Sequence, residues 1–467
     1  MPTAMPSPAA ADRHPFDYYH RPGMPLRPGP EAAAVSPLWL TRPHHEMFSP
    51  WIPVNAVPRR TPLTGLFDDH RWQGDELMDA VVAAFGGIGM SRGRRMLDQA
   101  LDQGIEAVAD PPAELVELFR HLDDPPEWFD ARRWERGRRL WIDSSLSGKL
   151  TMLFSDAMGT FVGAEVSSAT GQTRRFLADF RRRELETATW FYDVTRPGGV
   201  DRRSPVFKSI VRVRLMHAQA RLALRRAWGD EHFARHGNPV SNAMTMGAAV
   251  TFGLMPVLFD HSRGRRISPA DLDDVMLYWA YIAHLMGVAD ELVPRGAVEG
   301  MQLAHHMILT AGGPTPWTVI TVDAVCKRLL SRDPRLRRLQ IEALGPVFGL
   351  VAALTGEPLV RALLRDSPLA DVRLRPWQGL ARAATRFNVL LRRIGDHLPG
   401  ARSRFERRTK DGDVWQRRAV ASVAARARRA GITGTPYDHH DTSVPSPAAP
   451  GDPSPAEASK GRRPRAE

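Results

Sequence analysis

The sequence predicts an all-α protein, and three observations support that fold class. Apolar residues recur at spacings of three and four in most segments between residues 74 and 430, which is typical of helices with one buried face. Runs of alternating apolar and polar residues between hairpin turns, the pattern typical of strands, are absent from the sequence. Neither a G-x-G-x-x-G segment after a strand nor a phosphate-binding loop occurs, so the doubly wound nucleotide-binding folds are excluded.

The composition indicates a globular chain with a large positive charge. Of its 467 residues, 43% are hydrophobic, and the formal net charge is +12. A basic chain is compatible with a nucleic-acid or anionic-membrane partner. The arginines are spread along the chain without a nucleic-acid-binding motif, however, so an arginine-rich composition alone is the favoured explanation. Cys326 is the single cysteine, which excludes a disulfide framework and a cysteine-rich zinc site.

The N-terminal part is predicted to pass from a disordered segment into short helices. Residues 1–36 are rich in Pro and Ala, which predicts disorder, and residues 37–123 are predicted to form an arm followed by helices. Helical patterns occur at Asp75–Phe85, Ser91–Gln103, Pro112–Leu122 and Asp130–Asp143. The first two are expected to be separated at Gly86–Gly87.

The sequence predicts neither secretion nor a transmembrane segment. Met1–Ala11 lack a basic start followed by an apolar core, as a secretory signal would have. The longest apolar stretches, Met246–Phe259 and Ala343–Thr355, contain Gly and Pro and are shorter than a bilayer span. We therefore expect both to be buried core helices of a soluble, cytoplasmic protein.

The segment Gly171–Val194 predicts a helix whose buried face is interrupted by polar side chains. Its stripe repeats at steps of four and three and comprises Phe176, Phe180, Arg183, Thr187, Trp190 and Val194. A long cation and a hydroxyl on one buried face are unfavourable unless a polar or anionic group faces them. Either Arg183 reaches the surface while Thr187 bonds its own helix, or both face a ligand.

The segment Ser204–Trp228 predicts a second helix of the same kind. Ser204 followed by Pro205 is typical of a helix start. The stripe that follows comprises Val206, Ile210, Val213, His217, Ala220 and Leu224. His217 occupies an apolar position, where an unpaired imidazole nitrogen would cost roughly 1–3 kcal/mol. Its partner is either a hydrogen-bonding group of the core or a metal, most simply haem iron.

Because the two helices each carry polar groups on an apolar face near mid-length, a polar ligand shared between them would explain both patterns. Beyond them, residues 311–435 carry further helical patterns and are expected to pack on the core. Residues 436–467 are rich in Pro, Ser and Ala and end in a basic run, which predicts a disordered basic tail.

Five short motifs follow one another over residues 124–310. They are Pro126-Glu127-Trp128 with Gly137; Arg183 with Glu186-Thr187, Phe191 and Pro197-Gly198; Val213-Arg214-Leu215-Met216-His217-Ala218; Gly237-Asn238-Pro239 with Asn242; and Trp279 with Gly287-Val288 and Glu291-Leu292-Val293-Pro294. In content and order they resemble the motifs of the MpaB/latex-clearing (rubber oxygenase) catalytic-domain family. The stretch 124–310 is accordingly predicted to be the catalytic core.

The resemblance implies an all-α fold with a globin-like core that holds haem b. The histidine of the third motif is the axial iron ligand in latex-clearing members, which implies that role for His217. Their arginine and threonine near the haem correspond to Arg183 and Thr187. Those members also have a distal glutamate proposed as a base, for which Glu165 is the nearest candidate, and a lysine where this chain has Glu186.

The function implied by the resemblance is a haem-dependent oxygenase that uses O₂ on an apolar, isoprenoid or long-chain substrate. Latex-clearing members cleave the double bonds of polyisoprene, and a base such as Glu165 would take a proton from an allylic carbon. Two alternatives stay open. One is a haem protein without oxygenase turnover; the other is a non-enzymatic basic helical protein that binds nucleic acid or membrane through its arginine-rich C-terminus.

Overall fold

A computed structural model describes residues 18–31, 47–52, 60–151, 180–311, 318–320, 322–323, 326, 330–429 and 431. The regular secondary structure of these residues is helical, and none of them lies in a strand. The prediction of an all-α protein is therefore confirmed.

The N-terminal helices agree with the predicted segments within a few residues. They are α1 (Pro62–Asp69), α2 (Glu76–Ile88), α3 (Met90–Gln103) and α4 (Ala113–Asp123). Asp75 begins α2 by accepting a hydrogen bond from the backbone N–H of Met78. The separation of α2 from α3 was predicted at Gly86–Gly87 and is wrong by two residues, because the chain leaves the helix at Gly89, whose φ of 93° favours glycine.

Residues 18–31 form an extended strap over the N-terminal helices, which differs from the disorder predicted for residues 1–36. The Tyr18 hydroxyl donates to Asp69 at 2.8 Å, and the backbone N–H of Arg27 donates to the same carboxylate at 2.6 Å. The guanidinium of Arg27 also lies over the rings of Tyr18 and Trp72. These polar and aromatic contacts order the strap. They could not be predicted from its Pro-rich composition, because their partners lie elsewhere in the chain.

The central part of the protein, as far as the structure describes it, has six α-helices, one of which is almost entirely buried among the others. They are α5 (Ala131–Ile142), α6 (Phe180–Val194), α7 (Pro205–His236), α8 (Asn242–Ser262), α9 (Pro269–Leu285) and α10 (Ala297–Leu309). Nearly every side chain of α9 from Leu272 onward is buried. Helix α5 crosses α9 at Gly137, where a Cβ atom would lie 2.0 Å from the carbonyl oxygen of Asp274. The glycine therefore permits a backbone approach that a side chain would prevent.

The C-terminal helices attach to this core through a buried carboxylate. They are α11 (Pro334–Thr355), α12 (Glu357–Leu364), α13 (Arg375–His397) and α14 (Ala401–Arg429). Asp143, at the end of α5, pairs with Arg265 of the core at 2.9 Å, with Arg392 of α13 at 2.9 Å and with Arg408 of α14 at 2.7 Å. One carboxylate thus fixes two C-terminal helices against α5.

Helices α8 and α11 are long and apolar enough, by composition, to cross a bilayer. The most apolar part of α8 is 78% buried inside the protein, as expected for a core helix, whereas that of α11 is only 39% buried. The expectation that Ala343–Thr355 is buried therefore fits the C-terminal part of α11 only, since Ala343 and Val347 are exposed.

Candidate functional site

A cavity of about 300 Å³ lies between α6, α7, α8 and α9. Its described wall is mostly apolar and includes the aromatic side chains of Trp190, Phe191, Phe252 and Trp279. Phe191, Phe252 and Trp279 contact one another with ring centroids 4.9–6.1 Å apart. Packed rings of this kind give the cavity a rigid, water-excluding side.

Apart from indole N–H groups, the part of the wall that the structure describes has polar side chains from three of the four helices. Glu186 and Thr187 lie on α6, His217 on α7 and Thr245 on α8. The structure therefore brings Thr187 and His217, two of the residues predicted from the sequence, to the same cavity. Arg183 belongs to α6, but its side chain is outside the described part of the protein, and Glu165 lies wholly outside the described residues.

Two buried ion pairs hold the stretch of α7 that carries His217. Arg214 binds Asp75 through two hydrogen bonds, and Arg221 binds Asp79, with its Nε 3.0 Å from Oδ2. Burial alone would lower the pKa of Arg221, but the Asp79 carboxylate outweighs it and raises that pKa. The two arginines lie one turn on either side of His217, so both pairs fix the helix where the imidazole leaves it.

Two further motif residues, Gly287 and Asn242, contact the surroundings of Asp75. Gly287 has a φ of 89°, and a Cβ atom there would lie 2.1 Å from the Asp75 carboxylate and 2.6 Å from Arg214 Nε. Asn242, the first residue of α8, donates to the Gly287 carbonyl at 2.7 Å and accepts from the Ala289 N–H at 2.9 Å. These contacts join the start of α8 and the end of α9 to the Arg214–Asp75 pair.

Two indole groups of the cavity wall have buried N–H donors. The Nε1–H groups of Trp190 and Trp279 are buried, and neither finds an acceptor within the described ranges. By contrast, Trp141 donates from Nε1 to the Phe252 carbonyl at 2.8 Å. A buried N–H without an acceptor costs roughly 1–3 kcal/mol, so a polar ligand in the cavity would relieve both indoles.

The residues present fit haem b, the cofactor that the sequence resemblance implies. Haem iron needs one protein imidazole, which His217 could supply from a mostly apolar wall. The two unused indole donors would meet polar parts of such a ligand. Over the described residues no group of three or more His, Cys, Asp or Glu side chains could hold a metal ion, and a single-histidine cofactor does not require one.

Sequence reasoning missed the carboxylates that position α7. Asp75 and Asp79 lie far from Arg214 and Arg221 in the chain, so no local pattern links the partners of either pair. The available signal was the helix start at Asp75, which places a carboxylate at the first turn of α2. Trp190 belongs to a predicted buried stripe and Trp279 to a motif, so both were named from the sequence. That their N–H groups find no acceptor among the described residues is known only from the structure.

The fold and the cavity together define an all-α protein with an apolar cavity, whose described wall carries one imidazole and two indole donors that find no acceptor among the described residues. Residues 138–386 match the family described as "ER-bound oxygenase mpaB/B'/Rubber oxygenase, catalytic domain". The match spans more than half of the chain, so the protein belongs to this family. It also extends past residue 310, the predicted end of the core, into α13.

Two known proteins are similar to this chain, one in sequence and one in structure. The chain is 27% identical over 278 residues to the rubber oxygenase of Streptomyces sp. strain K30, covering 56% of this chain and 61% of that protein. The chain thus spans about three-fifths of the length of this curated relative. A solved structure of the latex clearing protein in its closed state superposes with a TM-score of 0.52 at 19% identity, covering 74% of this chain and 91% of that one, and supports the fold.

Proposed function

We propose that this protein is a haem b-dependent oxygenase that uses O₂ to oxidise an apolar, isoprenoid or long-chain substrate. The observation that carries the proposal is the position of His217 in the wall of an apolar cavity between α6, α7, α8 and α9. Membership of a family described by its oxygenases, and similarity to a protein named rubber oxygenase, support it.

His217 would hold the iron through one imidazole nitrogen, with Thr187 and Arg183 of α6 close to the cofactor. Haem, when bound, would supply the oxygen chemistry. The aromatic wall of Phe191, Phe252 and Trp279 excludes water and offers an apolar substrate a matching surface. Glu165 is proposed to accept a proton from an allylic carbon of the substrate.

The absorption spectrum of the protein produced with a haem precursor tests the cofactor. We expect an intense Soret band in the wild type that is lost or shifted in His217→Ala. The matched control is His236→Ala, which removes a histidine at the end of α7, beyond the break in the helix at Gly229 and outside the described cavity wall. A wild type that stays colourless after haem addition, or a His217→Ala spectrum equal to that of the wild type, would contradict the assignment.

Oxygen consumption separates turnover from haem binding alone. The haem-loaded protein is mixed with a short polyisoprene, and O₂ uptake is compared with that of the same protein without substrate. Substrate-dependent uptake supports the oxygenase. A Soret band without such uptake, for polyisoprene and other long-chain alkenes alike, would favour a haem protein without turnover.

A further inference from the structure

Helix α13 turns mostly polar side chains towards the protein and exposes most of its large apolar ones. The side chains it turns inward include Gln378, which donates to the Ala352 carbonyl at 3.0 Å, Thr385, and Arg392, which pairs with Asp143. Only Val389 is apolar among the fully buried residues of this helix. This is the reverse of the pattern expected for a helix of a globular protein, whose apolar stripe faces the core.

The exposed stripe is continuous along the helix. Trp377, Leu380, Ala384, Phe387, Leu391 and Ile394 follow one another at steps of three and four. Phe387 is 62% exposed, Leu380 61%, Leu391 52% and Ile394 50%. Single exposed apolar residues are ordinary, but an unbroken row of this length marks an interaction surface.

The adjoining helix α11 has the same property. It packs against α13, where Gly345 and Gly349 leave room for the ring and Cβ of Trp377. Its own exposed apolar residues include Leu336 at 55% and Leu339 at 63%. No part of the protein that the structure describes covers these residues.

The charges next to the stripe indicate what covers it. Arg382, Arg386 and Arg393 are exposed along one flank of the α13 stripe, and Asp396 is the single acidic residue of that helix. The neighbouring α14 carries ten basic residues against three acidic ones. An apolar row of Trp, Phe and Leu beside long basic side chains is the arrangement by which helices lie in the interface of an anionic bilayer.

A second copy of the chain fits this face less well. Pairing α13 with itself would bring the arginines of both copies together. The residues beside the stripe other than these arginines, Ala381, Ala383 and Asn388 among them, are uncharged and offer the arginines no acidic partner. The C-terminal residues 432–467 contain only Ile432, Tyr437 and Val444 as larger apolar residues, too few to bury the stripe.

We propose that the exposed apolar face of α13, with the arginines on its flank, docks the protein onto the surface of an anionic lipid bilayer. The stripe would lie among the upper acyl chains while Arg382, Arg386 and Arg393 reach the phosphate groups. This docking does not depend on the haem or on the oxygenase activity proposed above.

Sedimentation of the full chain with lipid vesicles tests the proposal. We expect binding to phosphatidylcholine vesicles that contain about one-quarter phosphatidylglycerol and little binding to phosphatidylcholine alone. The variant F387S/L391S should lower the partition coefficient at least about tenfold, because the membrane affinity scales with buried apolar area. The variant R382Q/R386Q should weaken binding to the anionic vesicles and reduce its dependence on salt.

The control I88S/V298S removes two exposed aliphatic side chains, on α2 and α10, and should bind as the wild type does. Circular dichroism checks that each variant keeps its helices, since all substituted residues are exposed. Equal binding by F387S/L391S and the wild type would overturn the proposal, as would a wild type that stays in the supernatant. If that wild type is a dimer which F387S/L391S dissociates, the face joins two copies of the chain instead.

Discussion

Arg214 donates two hydrogen bonds to Asp75, with Nε 2.5 Å from Oδ2 and Nη2 2.8 Å from Oδ1, and so joins α7 to the start of α2. The Arg214 side chain is 1% exposed and that of Asp75 8%, so the pair lies away from solvent. His217 follows Arg214 by one turn of the same helix. The ion pair therefore belongs to the frame that sets the position of the proposed iron ligand without itself lining the cavity.

Removing one member of this pair should be costly. We expect Arg214→Met to lower the free energy of unfolding by about 3–5 kcal/mol, because it leaves the Asp75 carboxylate buried without its partner. Urea denaturation followed by circular dichroism measures the change. The control is Arg212→Met, which removes an exposed pair with Asp98 on the same helix and should cost less than about 1 kcal/mol. Equal losses in both variants would show that the buried pair does not anchor α7.

The approach of α5 to α9 should depend on Gly137. We expect Gly137→Ala to destabilise the protein by about 1–3 kcal/mol or more, because the new Cβ would overlap the carbonyl oxygen of Asp274. Gly379→Ala in the exposed part of α13 is the matched control, since nothing lies within 4 Å of a Cβ there. It should stabilise the helix by about 0.5–1 kcal/mol. Thermal unfolding of the two variants should shift the midpoint in opposite directions.

A buried histidine, His284, and its half-buried neighbour His121 should make the protein sensitive to acid. The rings of His121 and His284 lie 4.7 Å apart. Burial, followed by the charge of Arg214, lowers the pKa of His121 to about 4. Burial, followed by His121 and Arg214, lowers the pKa of His284 to about 3, while Asp290, 3.9 Å from Nδ1, opposes these effects only in part. Both rings are therefore neutral in the folded protein at neutral pH.

In the unfolded chain both histidines titrate near pH 6.5. As the pH falls from there towards 4, the unfolded chain therefore binds protons at these histidines while the folded protein does not. The free energy of unfolding should decrease over this range by up to about 1.4 kcal/mol per pH unit for each histidine. His284→Phe keeps a ring beside Tyr281 and Trp128 and should flatten this decrease in urea titrations at several pH values. The exposed His397→Gln serves as the control. An unchanged slope in His284→Phe would assign the acid sensitivity to other groups.

The helices and two of the cavity residues could be predicted from the sequence because their signals are local. The apolar period predicted that Thr187 and His217 lie on inward-facing stripes, and both line the cavity, although Thr187 is exposed and His217 is half-buried. Ser204 caps α7 by accepting from the Phe207 N–H, as its sequence predicts. The Arg214–Asp75 pair could not be predicted, because its members are 139 residues apart and no local pattern joins them. The exposure of the apolar stripe of α13 could not be predicted either. The spacing of apolar residues shows that they share one face of the helix, but not whether that face is buried or exposed.

The unused indole donors of the cavity can be tested by matched truncations. Trp279 and Trp134 are both almost fully buried, but Trp134 donates from Nε1 to the Tyr278 carbonyl at 3.1 Å, whereas the Trp279 donor has no acceptor among the described residues. Both changes to Phe remove the same atoms. Trp134→Phe should therefore cost about 1–2 kcal/mol more than Trp279→Phe in the protein without haem, as measured by urea denaturation.

In haem-loaded protein we expect Trp279→Phe, rather than Trp134→Phe, to have the larger effect. If the Trp279 N–H meets a polar part of the cofactor, Trp279→Phe should shift the Soret band and weaken haem retention, while Trp134→Phe should leave both unchanged. A Trp279→Phe variant that loses as much stability as Trp134→Phe without haem would mean that the indole already has an acceptor. A loaded Trp279→Phe protein with the wild-type spectrum and haem affinity would place the cofactor away from this wall of the cavity, even if His217 still holds the iron.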